Sequence, residues 1–144
     1  MSQAAKLVVD ASVVIKWYIP EPDSGQATPL LDGRAQLLAP DLITAELGNV
    51  LWKKARAGEL AAQDATDIAE AFVSACPVLM WPSTLLLRGA LDIAVMFQRP
   101  VYDALYLALA VAQNCRVITA DNRLARALRH TTLQAFVRCL SDGI

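Results

Sequence analysis

Apolar runs of strand length alternate with periodic segments of helix length along most of this chain, and few folds accommodate that alternation. Lys6 to Val9 reads as a first strand, and Val13 to Tyr18 begins a helix that the Pro20 and Pro22 region stops. Gln36 to Ala39 is a short strand. A helix follows from Asp41 or a neighbour through Leu42, Ala45, Leu47, Val50, Leu51 and Ala55, with Gly58 placed to end it. Ala61 to Ala75 is a second helix of that length. Val78 to Trp81 is a strand, with Ser83 as N-cap of a helix to Phe97. Tyr102 to Gln113 is helical and Arg116 to Thr119 is a strand. A short helix over Asn122 to Leu128 and a strand over Ala135 to Leu140 complete the reading. Strands separated by helices pair in parallel, with helices covering both faces of the sheet. The expectation is an α/β fold in which the whole chain, residues 1–144, forms one domain.

Composition narrows the classes of function. Apolar residues make up 56% of the chain, which excludes a disordered polypeptide. The longest apolar run, Ala104 to Ala112, falls well short of the roughly 18 residues a membrane helix needs. Asp10 and Lys16 interrupt the N-terminal apolar stretch, so no signal segment is expected. Cys76, Cys115 and Cys139 lack metal-like spacing and read as small apolar packing residues in a reducing compartment, favouring the cytoplasm. Thirteen basic residues against fourteen acidic ones leave a net charge of −1, so attraction to nucleic acid would have to use a local patch. Lys53, Lys54 and Arg56 form one such cluster. Arg123, Arg126 and Arg129 form another, at a spacing of three that puts them along one helix face. For each, a solvated helix face is an equal alternative.

Four acidic residues stand out against apolar surroundings. Asp10 and Asp121 each end a strand-like run, where ligands of parallel sheets bind. Glu46 and Asp103 lie in largely apolar segments, and Asp103 falls in the first turn of its helix, where the helix dipole favours negative charge. Each also has an ordinary reading: Asp10 as a cap, Asp103 as a dipole partner, Asp121 with Asn122 as a turn pair, Glu46 as an exposed charge. Asp92 is a possible fifth member. Carboxylates gathered in one pocket repel each other unless a cation offsets them, and an oxygen-only set suits Mg²⁺ or Mn²⁺. His130 lies in a polar stretch, and no serine or cysteine has a recognisable base partner. Metal-activated water is the natural nucleophile of such a pocket, and phosphodiester hydrolysis its natural reaction.

Four blocks, in order, resemble the PIN-domain ribonucleases, most closely the VapC-type toxins of type II toxin–antitoxin systems. They are Val9-Asp10-Ala11-Ser12-Val13-Val14-Ile15-Lys16-Trp17; Ala39-Pro40-Asp41-Leu42 through Glu46 to Leu51-Trp52-Lys53-Lys54; Tyr102-Asp103-Ala104-Leu105-Tyr106-Leu107-Ala108; and Thr119-Ala120-Asp121. The resemblance implies a three-layer α/β/α domain with a central parallel sheet. It also implies Mg²⁺- or Mn²⁺-dependent endoribonuclease activity, a homodimer, and a small antitoxin that blocks the active site. It places metal-ligand roles on Asp10 and Asp103, with Asp121 as a further acidic ligand, direct or through water. Glu46 becomes a ligand through water or the orienter of the attacking water, and Ser12 supports the cluster by hydrogen bonding. Asn122 departs from the pattern, standing where many relatives carry a second acid. The alternatives are a PIN nuclease of RNA processing without an antitoxin, and a non-catalytic PIN-fold binder. A haloacid-dehalogenase-like phosphatase lacks its Asp-x-Asp signature here, since Ser12 follows Asp10-Ala11.

Overall fold

The computed structural model describes residues 4–143. Five strands form one parallel sheet: β1 (Ala5–Val9), β2 (Ala35–Pro40), β3 (Leu79–Trp81), β4 (Arg116–Thr119) and β5 (Val137–Cys139). They lie side by side in the order β3-β2-β1-β4-β5. The connecting helices are α1 (Ala11–Val14), α2 (Ser24–Ala27), α3 (Leu42–Arg56), α4 (Ala62–Ser74), α5 (Ser83–Phe97), α6 (Val101–Ala112) and α7 (Asn122–Ala127). Right-handed crossovers are the rule for parallel strands. They send the β1–β2 and β2–β3 connections to one face and the β3–β4 connection to the other, giving the expected α/β/α layers.

Burial explains the register. β1 is central, paired through Leu7 with both Leu37 and Arg116 and through Val8 with both Leu38 and Val117. Val8, Val9, Val117 and Ile118 are fully excluded from solvent, as a strand covered on both faces requires. Helix α6 supplies the other half of the core. Its residues from Ala104 to Ala110 are all buried, and it lies across β1, β2 and β4. This explains why the segment reads as a continuous apolar run and not as an amphipathic stripe. By contrast, α3 buries only Ile43, Leu47 and Leu51 along one stripe.

Several boundaries depart from the sequence expectation. The first helix starts at Ala11, not Val13, because the Asp10 carboxylate caps it, and it tightens into a 3-10 turn at Ile15–Trp17. Ser83 is not an N-cap; Pro82 holds that position, while Ser83 donates from both its amide and its hydroxyl to Asp41 Oδ1. The last strand shortens to three residues between 3-10 turns at Gln134–Phe136 and Leu140–Asp142. Between Ser24 and Asp32 the chain forms α2 and a 3-10 turn, which the sequence reading left without an assignment. Tertiary contacts hold that stretch: Trp17 Nε1 donates to the Ala27 carbonyl at 2.8 Å. Gly58 does close α3, in the left-handed region at φ +75°. Cys139 is buried as expected, but Cys76 is exposed because it sits past the end of α4.

Leu107 is fully buried where α6 meets the sheet. Leu107→Ala should lower unfolding free energy by about 2–5 kcal/mol, measured by urea denaturation. A loss below about 1 kcal/mol would contradict this account of the core.

Candidate active site

The sheet order places a topological switch between β1 and β4. From β1 the chain builds outward through β2 to β3, then crosses back to β4 and continues to β5. The two neighbouring strands thus feed connections to opposite faces, and a crevice opens beyond their carboxyl ends. Asp10 follows β1 directly and Asp121 stands two residues past the end of β4.

Asp10 is held from both strands. Its Oδ1 accepts from the Ser12 amide at 3.0 Å, the Ser12 hydroxyl and the Val13 amide at 3.3 Å. Its Oδ2 accepts from Thr119 Oγ1 at 2.6 Å, across the β1–β4 seam. Ser12 Oγ in turn accepts from the Ala120 amide at 2.9 Å, and Thr119 Oγ1 from the Asp121 amide at 3.0 Å. Burial pushes the Asp10 carboxyl above its ordinary range, and these donors oppose the shift without cancelling it.

Glu46 and Asp103 join this carboxylate. Burial raises the Glu46 carboxyl first; Tyr106 Oη, donating at 2.5 Å, offsets part of the rise, and the charges of Asp10 and Asp103 add to it. Tyr106 is itself buried and is raised by that burial and by all three acids. Asp103, in the first turn of α6, pairs with Arg99 at 3.2 Å. The Arg99 Nε is buried without a partner.

Asp121 is placed differently. It caps α7 and accepts from the Arg123 guanidinium through both oxygens, at 2.9 to 3.1 Å. That side chain is 40% exposed, and the Arg123 hydrogen bond holds its carboxyl below the ordinary range. The cap and turn role expected as the ordinary alternative is therefore realised here. Asp92 is exposed on α5, as is His130 beyond α7. Sequence reasoning missed Thr119, Tyr106 and Arg99, and read Arg123 as part of a basic helix face rather than as the partner of Asp121. Two of them left a signal: Thr119 is a polar residue closing the apolar run Val117-Ile118, and Tyr106 lies three residues from Asp103, on the same helix face.

The donor chemistry of Asp10, Glu46 and Asp103 fits a hard divalent cation: all oxygen, mutually repelling and partly withdrawn from water. Among the described residues, no three acid, histidine or cysteine side chains converge closely enough to hold an ion as they stand. Arg99 and Arg123 supply counter-charge to two of the four candidates.

A PIN domain family model matches residues 7–129, and the chain belongs to the PIN-domain family. It is 37% identical over 123 residues to Ribonuclease VapC3 of Pyrobaculum aerophilum, covering 83% of this chain and 92% of the relative. The fold is similar to that of PAE2754 from the same organism, at a TM-score of 0.68 and 23% identity, over 99% of this chain and 94% of the other. It is also similar to Mycobacterium tuberculosis VapC20, described as a sarcin-ricin loop cleaving toxin, at a TM-score of 0.63 and 16% identity, over 84% and 94% of the two chains. No helix among the described residues is long and apolar enough to cross a membrane.

The shifted carboxyls set a pH dependence. Asp10 and Glu46 bind protons more tightly folded than unfolded, so the folded state loses stability as pH rises from the ordinary carboxylate range through their raised values. Asp121 and Glu21 are depressed; their contribution is present above that range and is lost only as pH falls through their lowered values. Metal-free protein should therefore be more stable at about pH 5 than at about pH 7.5, and Glu46→Gln should flatten the difference. Urea denaturation at both pH values checks this; a wild-type protein more stable at the higher pH would contradict it.

Proposed function

We propose that this chain is a Mg²⁺- or Mn²⁺-dependent endoribonuclease, the toxin of a type II toxin–antitoxin pair, acting in the cytoplasm as a homodimer. The observation that carries the reading is the Asp10 carboxylate. It is fixed by Ser12 and Thr119 at the β1–β4 switch, and its charge and that of Asp103 both act on Glu46, in a chain 37% identical to a VapC ribonuclease. The toxin role draws on that relative and on the toxin VapC20, and the small antitoxin partner follows from the VapC resemblance.

Asp10 and Asp103 would hold the cation, with Asp121 as a further ligand once it leaves Arg123. A bound divalent cation supplies Lewis acidity and a water of lowered pKa. The protein's own groups do the rest. Ser12, Thr119 and two backbone amides fix the Asp10 carboxylate before substrate arrives, so little reorganisation remains at the moment of reaction. Glu46, held by the Tyr106 hydroxyl, orients the attacking water and can accept its proton. Burial holds its carboxyl above the ordinary range, which makes it a stronger base than a solvated carboxylate. Water attacks phosphorus, the phosphodiester P–O bond breaks, and the leaving oxygen gains a proton.

The test is incubation of purified protein with total cellular RNA plus Mn²⁺ or Mg²⁺, then with EDTA, beside the Asp10→Asn variant. Discrete fragments that require both metal and Asp10 are expected, with activity in the variant reduced at least about a hundredfold. Full activity in a folded Asp10→Asn protein, or cleavage that persists in EDTA, would overturn the reading.

A further inference from the structure

Arg126 and Arg129, two members of the second basic cluster, have no part in this chemistry. Arg123, Arg126 and Arg129 do not share a helix face as their spacing suggested. Helix α7 ends at Ala127 and Arg123 turns back onto Asp121, while Arg126 and Arg129 line a separate open pocket of about 580 Å³ between α7 and β5. Arg138 of β5 lines the opposite wall, and Asn122 reaches the rim beside Asp121. The left-handed backbone of His130, at φ +63°, turns the chain directly after Arg129.

Three arginines thus line one cavity. Among the described residues, none of the three makes a salt bridge to a carboxylate; Arg138 donates to the backbone carbonyls of Asp142 and Gly143, and Arg126 Nε approaches the Asn122 carbonyl at 3.4 Å. Asp142 is the one acid lining the pocket. The Cys139 thiol on its wall is pushed up by burial and by Asp142 and Asp121, and pulled down by both Arg126 and Arg129, so the two arginine charges lie near one point, with those two acids beside them. In a chain of net charge −1, this is a local cationic patch of the kind that nucleic-acid binding requires.

We propose that the Arg126–Arg129–Arg138 pocket is a phosphate-binding subsite that seats the RNA backbone beyond the catalytic crevice and sets its direction across the site. The inference rests on the ribonuclease reading and adds to it where the substrate's flanking backbone lies. Guanidinium groups suit the task because their planar forks match phosphate oxygens. Asn122 lines the pocket and directly follows Asp121 in the chain, so a strand bound here would pass beside Asp121 toward the acidic crevice.

The test measures binding of a fluorescent 12-nucleotide single-stranded RNA in EDTA, by anisotropy over a range of salt concentrations. It compares wild type, Arg126→Gln, Arg129→Gln and the control Arg34→Gln. Arg34 precedes β2, which lies three strands from β5, and does not line the pocket, so the control changes net charge equally. Each pocket variant should bind roughly fivefold more weakly at about 0.1 M salt, with the salt slope reduced by about 0.7, and the control should match wild type. In the metal-dependent cleavage assay, the pocket variants should raise KM and leave kcat unchanged. Wild-type binding and salt slope in both pocket variants, beside intact Asp10-dependent cleavage, would overturn this inference alone. Equal losses in the control and the pocket variants would also overturn it, since they would report net charge only. If wild type neither binds nor cleaves RNA, the inference falls together with the ribonuclease reading.

Discussion

The hydrogen bond from Thr119 to Asp10 joins the two strands between which the chain reverses its direction of sheet building. Much of the site follows from it. It fixes one carboxylate oxygen from β4 while Ser12 and Val13 fix the other from the start of α1. Ser12 Oγ then accepts from the Ala120 amide, so a second hydrogen bond joins the segments after β1 and β4. A buried, under-compensated carboxylate is costly, and four donors are what allow the chain to keep one here. The same donors leave the carboxyl raised, because burial outweighs them. The protein thus tolerates local destabilisation at the crevice proposed to carry its chemistry, a pattern common at functional sites.

Charge balance in the crevice is shared unequally. Glu46 and Asp10 both have raised pKa values, and Glu46 rests on a neutral phenol. Asp103 and Asp121 each rest on an arginine. Two acids are therefore neutralised by side chains that solvent can reach, and two are held by hydroxyl groups in the interior. Substrate phosphates compete for guanidinium groups, whereas a cation competes for carboxylates. A pocket arranged this way can exchange internal ion pairs for external ones at little net change in charge.

Much of this architecture was legible in the sequence. The strand ends at Asp10 and Thr119 follow from apolar runs that stop abruptly, and Gly58 marks the end of α3 through its left-handed backbone. The long helices were readable because burial imposes a period on them. The region from Ser24 to Asp32 was not, because its elements are one turn long and are held by a tryptophan ten residues from its hydrogen-bond partner. Ser83 looked like a cap because it precedes a helix, yet Asp41, distant in sequence, claims its hydroxyl. In the site, the identities of Asp10, Glu46 and Asp103 were accessible from their apolar settings. Their partners Thr119, Tyr106 and Arg99 are chosen by tertiary geometry that no local pattern encodes. Asp121 illustrates the limit: the same residue satisfies a helix cap and flanks a crevice.

The outer strands β3 and β5 are three residues each. A parallel sheet normally ends in rows of unpaired backbone groups that can recruit a further strand. Here those rows are almost too short to template one, and a proline, Pro82, directly follows β3. Five of the exposed large apolar side chains, Leu85, Leu87, Leu91, Val95 and Met96, gather on α5, while the others are spread over several elements, Leu79 of β3 among them. Any self-association of this chain would thereby favour side-chain packing between helices over open-ended strand addition. Packing of that kind can close on itself at a defined number of subunits, where an exposed sheet edge would grow without limit.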